Sequence, residues 1–127
     1  MLPIDKFSGK PVYEQIIDGV ERNILLGLYP VGGQVPSVRE LSAGLGINPN
    51  TIQKSYAELM RRGVICSAPG NGCFVTPVAR EKIRERARER LSELCALAAE
   101  LSVAGLGDDE ILDAVKRRIK REGDNQV

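Results

Sequence analysis

QVPSVRELSAGLGINPNTIQKSYAELMRRGVICSAPGNGCFV, residues 34–75, reads as two helices joined by a tight turn and followed by a short hairpin. Pro36 and Ser37 open the first helix; Ser37 can cap it, and Glu40 three residues on completes a capping box. Val38, Leu41 and Leu45 recur at helical spacing until Gly44 and Gly46 break the pattern. Asn48 then caps the second helix, and Pro49 occupies its first position, where a missing N–H costs nothing. Ile52, Tyr56, Leu59 and Met60 share one side of that helix and predict a core stripe. Asn50, Gln53, Lys54, Ala57 and Arg61 share the opposite side, a polar surface with two positive charges. Such a face suits a helix lying in the major groove of DNA. Gly63 ends the helix, and residues 64–66 and 73–75 predict two strands around the turn formers Pro69, Gly70, Asn71 and Gly72.

Working outward, residues 1–10 read as an extended arm that Ile4 and Phe7 would pin to the body. Residues 11–26 form a helix with an apolar stripe of Val12, Ile16, Ile17, Val20 and Ile24, bordered by Tyr13 and stopped by Gly27. Beyond Pro77 the composition changes. Residues 78–105 predict one long charged helix, in which Ala87, Leu91, Leu94, Ala98, Leu101 and Gly105 follow coiled-coil-like spacing. A last helix starts at Asp108, with acids in its first turn and bases towards its end, as the helix dipole favours. Its apolar face is Leu112, Val115 and Ile119, with Ile111 beside them. The expected organisation is therefore a three-helix and hairpin unit at 1–77, a helical segment at 78–122 and a polar tail at 123–127. Two such helices cannot cover both apolar faces alone. A second copy is the favoured cover, giving Leu91, Leu94, Ala98, Leu101, Leu112, Val115 and Ile119 a role in dimerisation.

Composition excludes several function classes. The chain has 127 residues, a net charge of +1 and no His, which removes His-based catalysis and most transition-metal sites. Residues 1–77 hold seven Lys/Arg against six Asp/Glu, and residues 78–127 hold eleven of each, so DNA affinity must come from local charge placement. Cys66, Cys73 and Cys95 form an odd set without a secretory signal or an apolar run long enough to span a membrane. These features suit a reduced, cytoplasmic protein with no membrane contact, no metal and no cofactor. A Cys66/Cys73 switch is the alternative to small, half-buried residues. No nucleophile–base pair or phosphate-binding loop marks an enzyme.

The combination resembles the GntR family of transcription regulators. It is carried by Pro11-Val12-Tyr13-Glu14-Gln15-Ile16, by Val35-Pro36-Ser37-Val38-Arg39-Glu40-Leu41, and by Leu45-Gly46-Ile47-Asn48-Pro49-Asn50-Thr51-Ile52. Lys54, Tyr56, Leu59, Gly63 and Gly70-Asn71-Gly72-Cys73-Phe74-Val75 complete it. The resemblance implies a mainly α fold with a small β-hairpin, a winged helix-turn-helix followed by two C-terminal helices. The short C-terminal part is similar to the YtrA-type subfamily, which implies dimerisation through those helices. It also implies repression of a transporter-type operon and of the chain's own gene. Family DNA contacts fall on Arg39, Asn50, Thr51 and Gln53 and on the wing glycines Gly70 and Gly72. With the Ser37 cap, Lys54 as a phosphate contact and Asn71 at the wing tip, these make up the candidate DNA-binding set. The expected partners are an operator duplex and a second copy. A small-molecule effector would sit at the dimer interface or between wing and C-terminal helices. Residues 63–79 carry no Lys or Arg, unlike many family wings. That departure favours the alternative, a winged-helix protein-interaction module without DNA binding.

Overall fold

A computed structural model describes residues 2–125. Its elements in order are α1 (Val12–Leu25), α2 (Val38–Leu45), α3 (Pro49–Arg61), β1 (Ile65–Ala68), β2 (Gly72–Val75), α4 (Ala79–Glu89), α5 (Leu91–Val103) and α6 (Asp108–Asn125). Packing divides the chain into two compact units, Met1–Arg86 and Ala87–Val127.

In the first unit, α1, α2 and α3 enclose Ile16, Ile17, Val20, Ile24, Leu41, Ile47, Ile52, Tyr56 and Leu59, all buried. Val35, Val64, Ile65 and Val75 extend this core under the hairpin. The core stripe of α3 includes Ser55 and leaves Met60 exposed, contrary to the periodic reading. The reason is the approach of α1, whose Tyr13 carbonyl accepts a 2.8 Å bond from the Ser55 hydroxyl. The stripe is thereby centred away from Met60. The arm differs as well. Ile4 packs against the core as expected, but Phe7 is fully exposed, and Leu2 is the buried residue of the arm, lying over Gly19, where a Cβ would lie 3.0 Å from the leucine methyl. Gln15 ties the arm down by accepting from the Asp5 N–H and donating to the Asp5 and Lys10 carbonyls, each at 2.8 Å.

The first unit continues past residue 77 because Ala79 and Ile83 of α4 are buried in its core. Arg80 donates to the Ile24 and Leu25 carbonyls at the C-terminal end of α1, where a cation also suits the helix dipole. The long helix expected over 78–105 is two helices. Arg90 makes the junction through a tight i,i+3 bond from its N–H to the Ala87 carbonyl, with neither Gly nor Pro to announce it. The tail expected at 123–127 is helical through Asn125, and residues 126–127 lie outside the described residues. In the second unit α5 and α6 pack as a hairpin, with Ala98, Leu101, Ile111 and Val115 half-buried. Leu91, Leu94, Leu97, Leu112 and Ile119 stay exposed.

Arg62 at the end of α3 bridges Glu21 of α1 at 2.8 Å and Glu58 at 3.1 Å. Burial outweighs the attraction of Arg62 and holds the Glu21 carboxyl above its usual range. Arg62→Met leaves Glu21 half-buried and unpaired, and is expected to cost roughly 1–3 kcal/mol at neutral pH. A carboxyl whose folded pKa is raised favours the folded state when protonated, so stability returns as pH falls through the raised value towards 4.5. Urea unfolding of variant and wild type at pH 7 and pH 5 checks this: the gap between them narrows at the lower pH.

Candidate nucleic-acid interface

Local chemistry places each side of the interface. Ser37 caps α2 by accepting from the Glu40 N–H at 3.0 Å. Arg39, the second residue of that helix, is exposed and has no hydrogen-bond or salt-bridge partner among the described residues. Gly46 takes the left-handed conformation at φ 65° and turns the chain, while the Ser42 hydroxyl donates to the Ile47 carbonyl at 2.7 Å. Asn48 then caps α3 by accepting from the Asn50 N–H at 2.9 Å. Buried Leu41, Ile47 and Ile52 lock the two helices together. The Tyr56 hydroxyl reaches back from α3 to the Pro36 carbonyl, and burial pushes its pKa well above the usual tyrosine range.

The face of α3 away from the core presents Asn50, Gln53 and Lys54 to solvent, with Thr51 half-buried beside them. Both positive charges of this face are engaged within the protein. Lys54 holds its ammonium 3.9 Å from the centre of the Tyr13 ring. Arg61 is paired with Glu58, whose carboxyl is lowered to about 2, chiefly by its hydrogen bond from Arg61. What remains free is the pair of amides, suited to adenine, and the Arg39 guanidinium on the preceding helix. Tyr13 enters this neighbourhood only through packing; its place at the border of the α1 stripe gave no sign of the contact with Lys54.

The hairpin pairs Cys66 with Phe74 and Ser67 with Cys73. Residues 32–35 lie along β2 as a third edge. Gly32 donates to the Val75 carbonyl, Val75 to that of Gly33 and Val35 to that of Cys73, each at 2.9 Å. This edge fixes the wing to the segment that leads into α2. Gln34 closes the arrangement, its amide donating to the Asn71 carbonyl at 2.9 Å. Pro69 and Gly70 form the turn, with Gly70 at φ 81° and the Asn71 N–H on the Ala68 carbonyl. Gly72 has a different reason to be glycine. At φ 95° its absent Cβ would sit 2.5 Å from the Gln34 amide nitrogen. Gly72→Ala should therefore cost about 2–3 kcal/mol in stability, strain and the displaced amide together. Gly70→Ala meets open space and should cost only the backbone strain of about 1–2 kcal/mol. Denaturant titration separates them, and in a Gln34→Ala background the two costs converge.

Opposed residues of an antiparallel pair share a face, so the register puts Cys66 and Cys73 on opposite faces of the hairpin. Both are free thiols, and burial pushes the Cys73 thiol up. This geometry favours the structural reading of the pair over a switch. Among the described residues no group of His, Cys, Asp or Glu could hold a metal ion, and no helix is long and apolar enough to cross a membrane.

A capped two-helix unit with an exposed amide face, backed by a third helix and flanked by a hairpin sewn to its entry strand, is the winged helix-turn-helix of DNA-binding regulators. The chain belongs to the gntR family of bacterial regulatory proteins, whose model matches residues 12–75, and shares that family's non-catalytic, DNA-binding character. It is 34% identical over 117 residues to the HTH-type transcriptional repressor YtrA of Bacillus subtilis, covering 91% of this chain and 90% of the relative. This likeness over nearly the whole length puts it in the YtrA-type subfamily. A GntR family transcriptional regulator from Listeria monocytogenes superposes with a TM-score of 0.70 at 33% identity, covering 90% of this chain and 98% of that one. The AraR DNA-binding domain, solved in complex with an operator, superposes with a TM-score of 0.52 at 27% identity over 58% of this chain and 89% of that one.

Proposed function

We propose that this regulator is a homodimeric repressor that binds a two-fold operator and acts on a transporter-type operon and on its own gene. The observation that carries the reading is a division of labour between the two units. The first leaves Arg39, Asn50 and Gln53 free on its surface, and the second leaves Leu91, Leu94, Leu97, Leu112 and Ile119 uncovered. In this reading Arg39 clamps a guanine or a phosphate, and Asn50 and Gln53 read base edges. Thr51 and Lys54 hold phosphates, the Lys54 ammonium leaving the Tyr13 ring to do so. Gly70, Asn71 and Gly72 bring the wing backbone against the duplex, and Ser37 holds the helix end that carries Arg39. Leu91, Leu94, Ala98, Leu101, Leu112, Val115 and Ile119 line the dimer contact, so two reading heads meet two half-sites. Repression and the choice of target rest on likeness to the YtrA repressor and its subfamily.

Fluorescence anisotropy with DNA from upstream of the chain's own gene, against a scrambled duplex at two salt concentrations, tests the reading. Specific, salt-sensitive binding of two chains per site supports it. Binding to other genomic fragments but not to this one removes the autoregulatory part. Failure to enrich any fragment in a genome-wide pull-down removes the repressor reading and points to protein contacts instead.

A further inference from the structure

α6 distributes its charge unevenly, both along its length and around its circumference. Asp109 and Asp113 stand in its first two turns and Lys116 and Lys120 follow them along the helix, all four exposed. At about 100° per residue the four fall on one flank, immediately beside the strip of Leu112, Val115 and Ile119. Leu112 and Ile119 in that strip are 55% and 67% exposed. Among the described residues none of the four charges has a salt-bridge partner; the α6 bridge is Arg118 to Glu122, on the other side of the apolar strip. Within one copy the flank holds two like-charge neighbours at i,i+4, Asp109/Asp113 and Lys116/Lys120, against one opposite-charge neighbour at i,i+3, Asp113/Lys116. The helix dipole accounts for acids at the start and bases at the end, but its effect fades within the first and last turns. Asp113 and Lys116 are the sixth and ninth residues of an 18-residue helix.

We propose that this flank meets its own copy: a second chain docks on the apolar strip of α6 with its α6 antiparallel. Asp109 and Asp113 of each copy then face Lys116 and Lys120 of the other. The proposal rests on the homodimer reading and adds the orientation of the pair. A two-fold axis across antiparallel helices brings the same flank of each together with its direction reversed, acid half on basic half. A parallel pair would set the acid-rich starts of both helices side by side, with Asp108, Asp109 and Glu110 of each copy together. Only the antiparallel arrangement removes both like-charge conflicts while covering Leu112 and Ile119.

The test is a charge-reversed full-length variant, Asp109→Lys, Asp113→Lys, Lys116→Asp and Lys120→Asp, followed by sedimentation equilibrium and by energy transfer between labelled chains. It should self-associate within about threefold of wild type, yet should not mix with wild type, because a mixed antiparallel pair sets Asp against Asp and Lys against Lys. The half-swap Asp109→Lys with Asp113→Lys should lose at least about tenfold in self-association at low salt, and should recover on mixing with Lys116→Asp/Lys120→Asp. Lysine at position 109 also opposes the helix dipole, so the mid-helix swap Asp113→Lys with Lys116→Asp is read alongside and should show the same refusal to mix. A dimeric wild type that mixes freely with the reversed variant, or a half-swap that associates normally, overturns the orientation and leaves the homodimer standing. A wild type that is monomeric across the concentration range removes the homodimer reading, and this inference with it.

Discussion

Leu94→Glu combined with Leu112→Glu is expected to make the full-length protein monomeric and to weaken binding to an intact operator by about 10²–10⁴-fold. Both leucines are already substantially exposed in the single chain, at 45% and 55%. Charge there does not enter the core of the first unit, which is built from other residues. The effect falls on association instead. Covering each leucine contributes about 1–2 kcal/mol, and burying an unpaired carboxylate in its place costs several more. The loss at the operator follows from geometry: two linked reading heads find their half-sites at high effective concentration, and separate heads do not. Affinity for a single half-site should stay at the wild-type value. Sedimentation gives the oligomeric state, and anisotropy on full-site and half-site duplexes gives the two affinities. A double variant that is still dimeric would place the interface elsewhere on the chain.

Arg39→Ala should weaken operator binding by about 1–3 kcal/mol, roughly 5–150-fold per reading head, with the fold unchanged. The side chain is exposed and unpaired among the described residues, so its removal leaves no buried group stranded. Ser37 still caps the helix through the Glu40 N–H. Among the described residues Arg39 is also the unengaged cation of the proposed reading surface, because Lys54 rests on Tyr13 and Arg61 is spent on Glu58. Arg39→Lys separates two roles. A lysine keeps the charge but lacks the planar fork, so it restores a phosphate contact and fails at a bidentate guanine contact. Melting temperature and the slope of affinity against salt, measured on all three proteins, read the outcome. An alanine variant that binds like wild type would remove Arg39 from the interface.

The helix-turn-helix was legible because its signals are local. Ser37, Gly46, Asn48, Pro49 and Gly63 act within one turn of where they stand, and each does in the structure what its chemistry dictates. The polar face of α3 followed from periodicity. The state of its charges did not, since pairing Lys54 with Tyr13 and Arg61 with Glu58 depends on which rotamers neighbouring helices allow. Met60 is exposed and Ser55 buried for a similar reason: periodicity locates a stripe, but the neighbouring helix chooses its centre. Of the two apolar residues expected to pin the arm, Ile4 packs on the core and Phe7 does not, while Leu2 finds a glycine to pack on.

By itself the sequence determined three helices and a hairpin, the two capped helices of the helix-turn-helix, and a helical appendage with more apolar surface than it can cover. These depend on backbone propensities, caps and periodicity, which act over a few residues. Tertiary structure alone decided that residues 32–35 complete the wing, that Gln34 latches Asn71 through the space left by Gly72, and that α4 begins inside the first unit. Those contacts join residues about forty apart in the case of the wing. No local preference encodes them; they form because the buried core brings two backbone edges into register and leaves a donor opposite an acceptor.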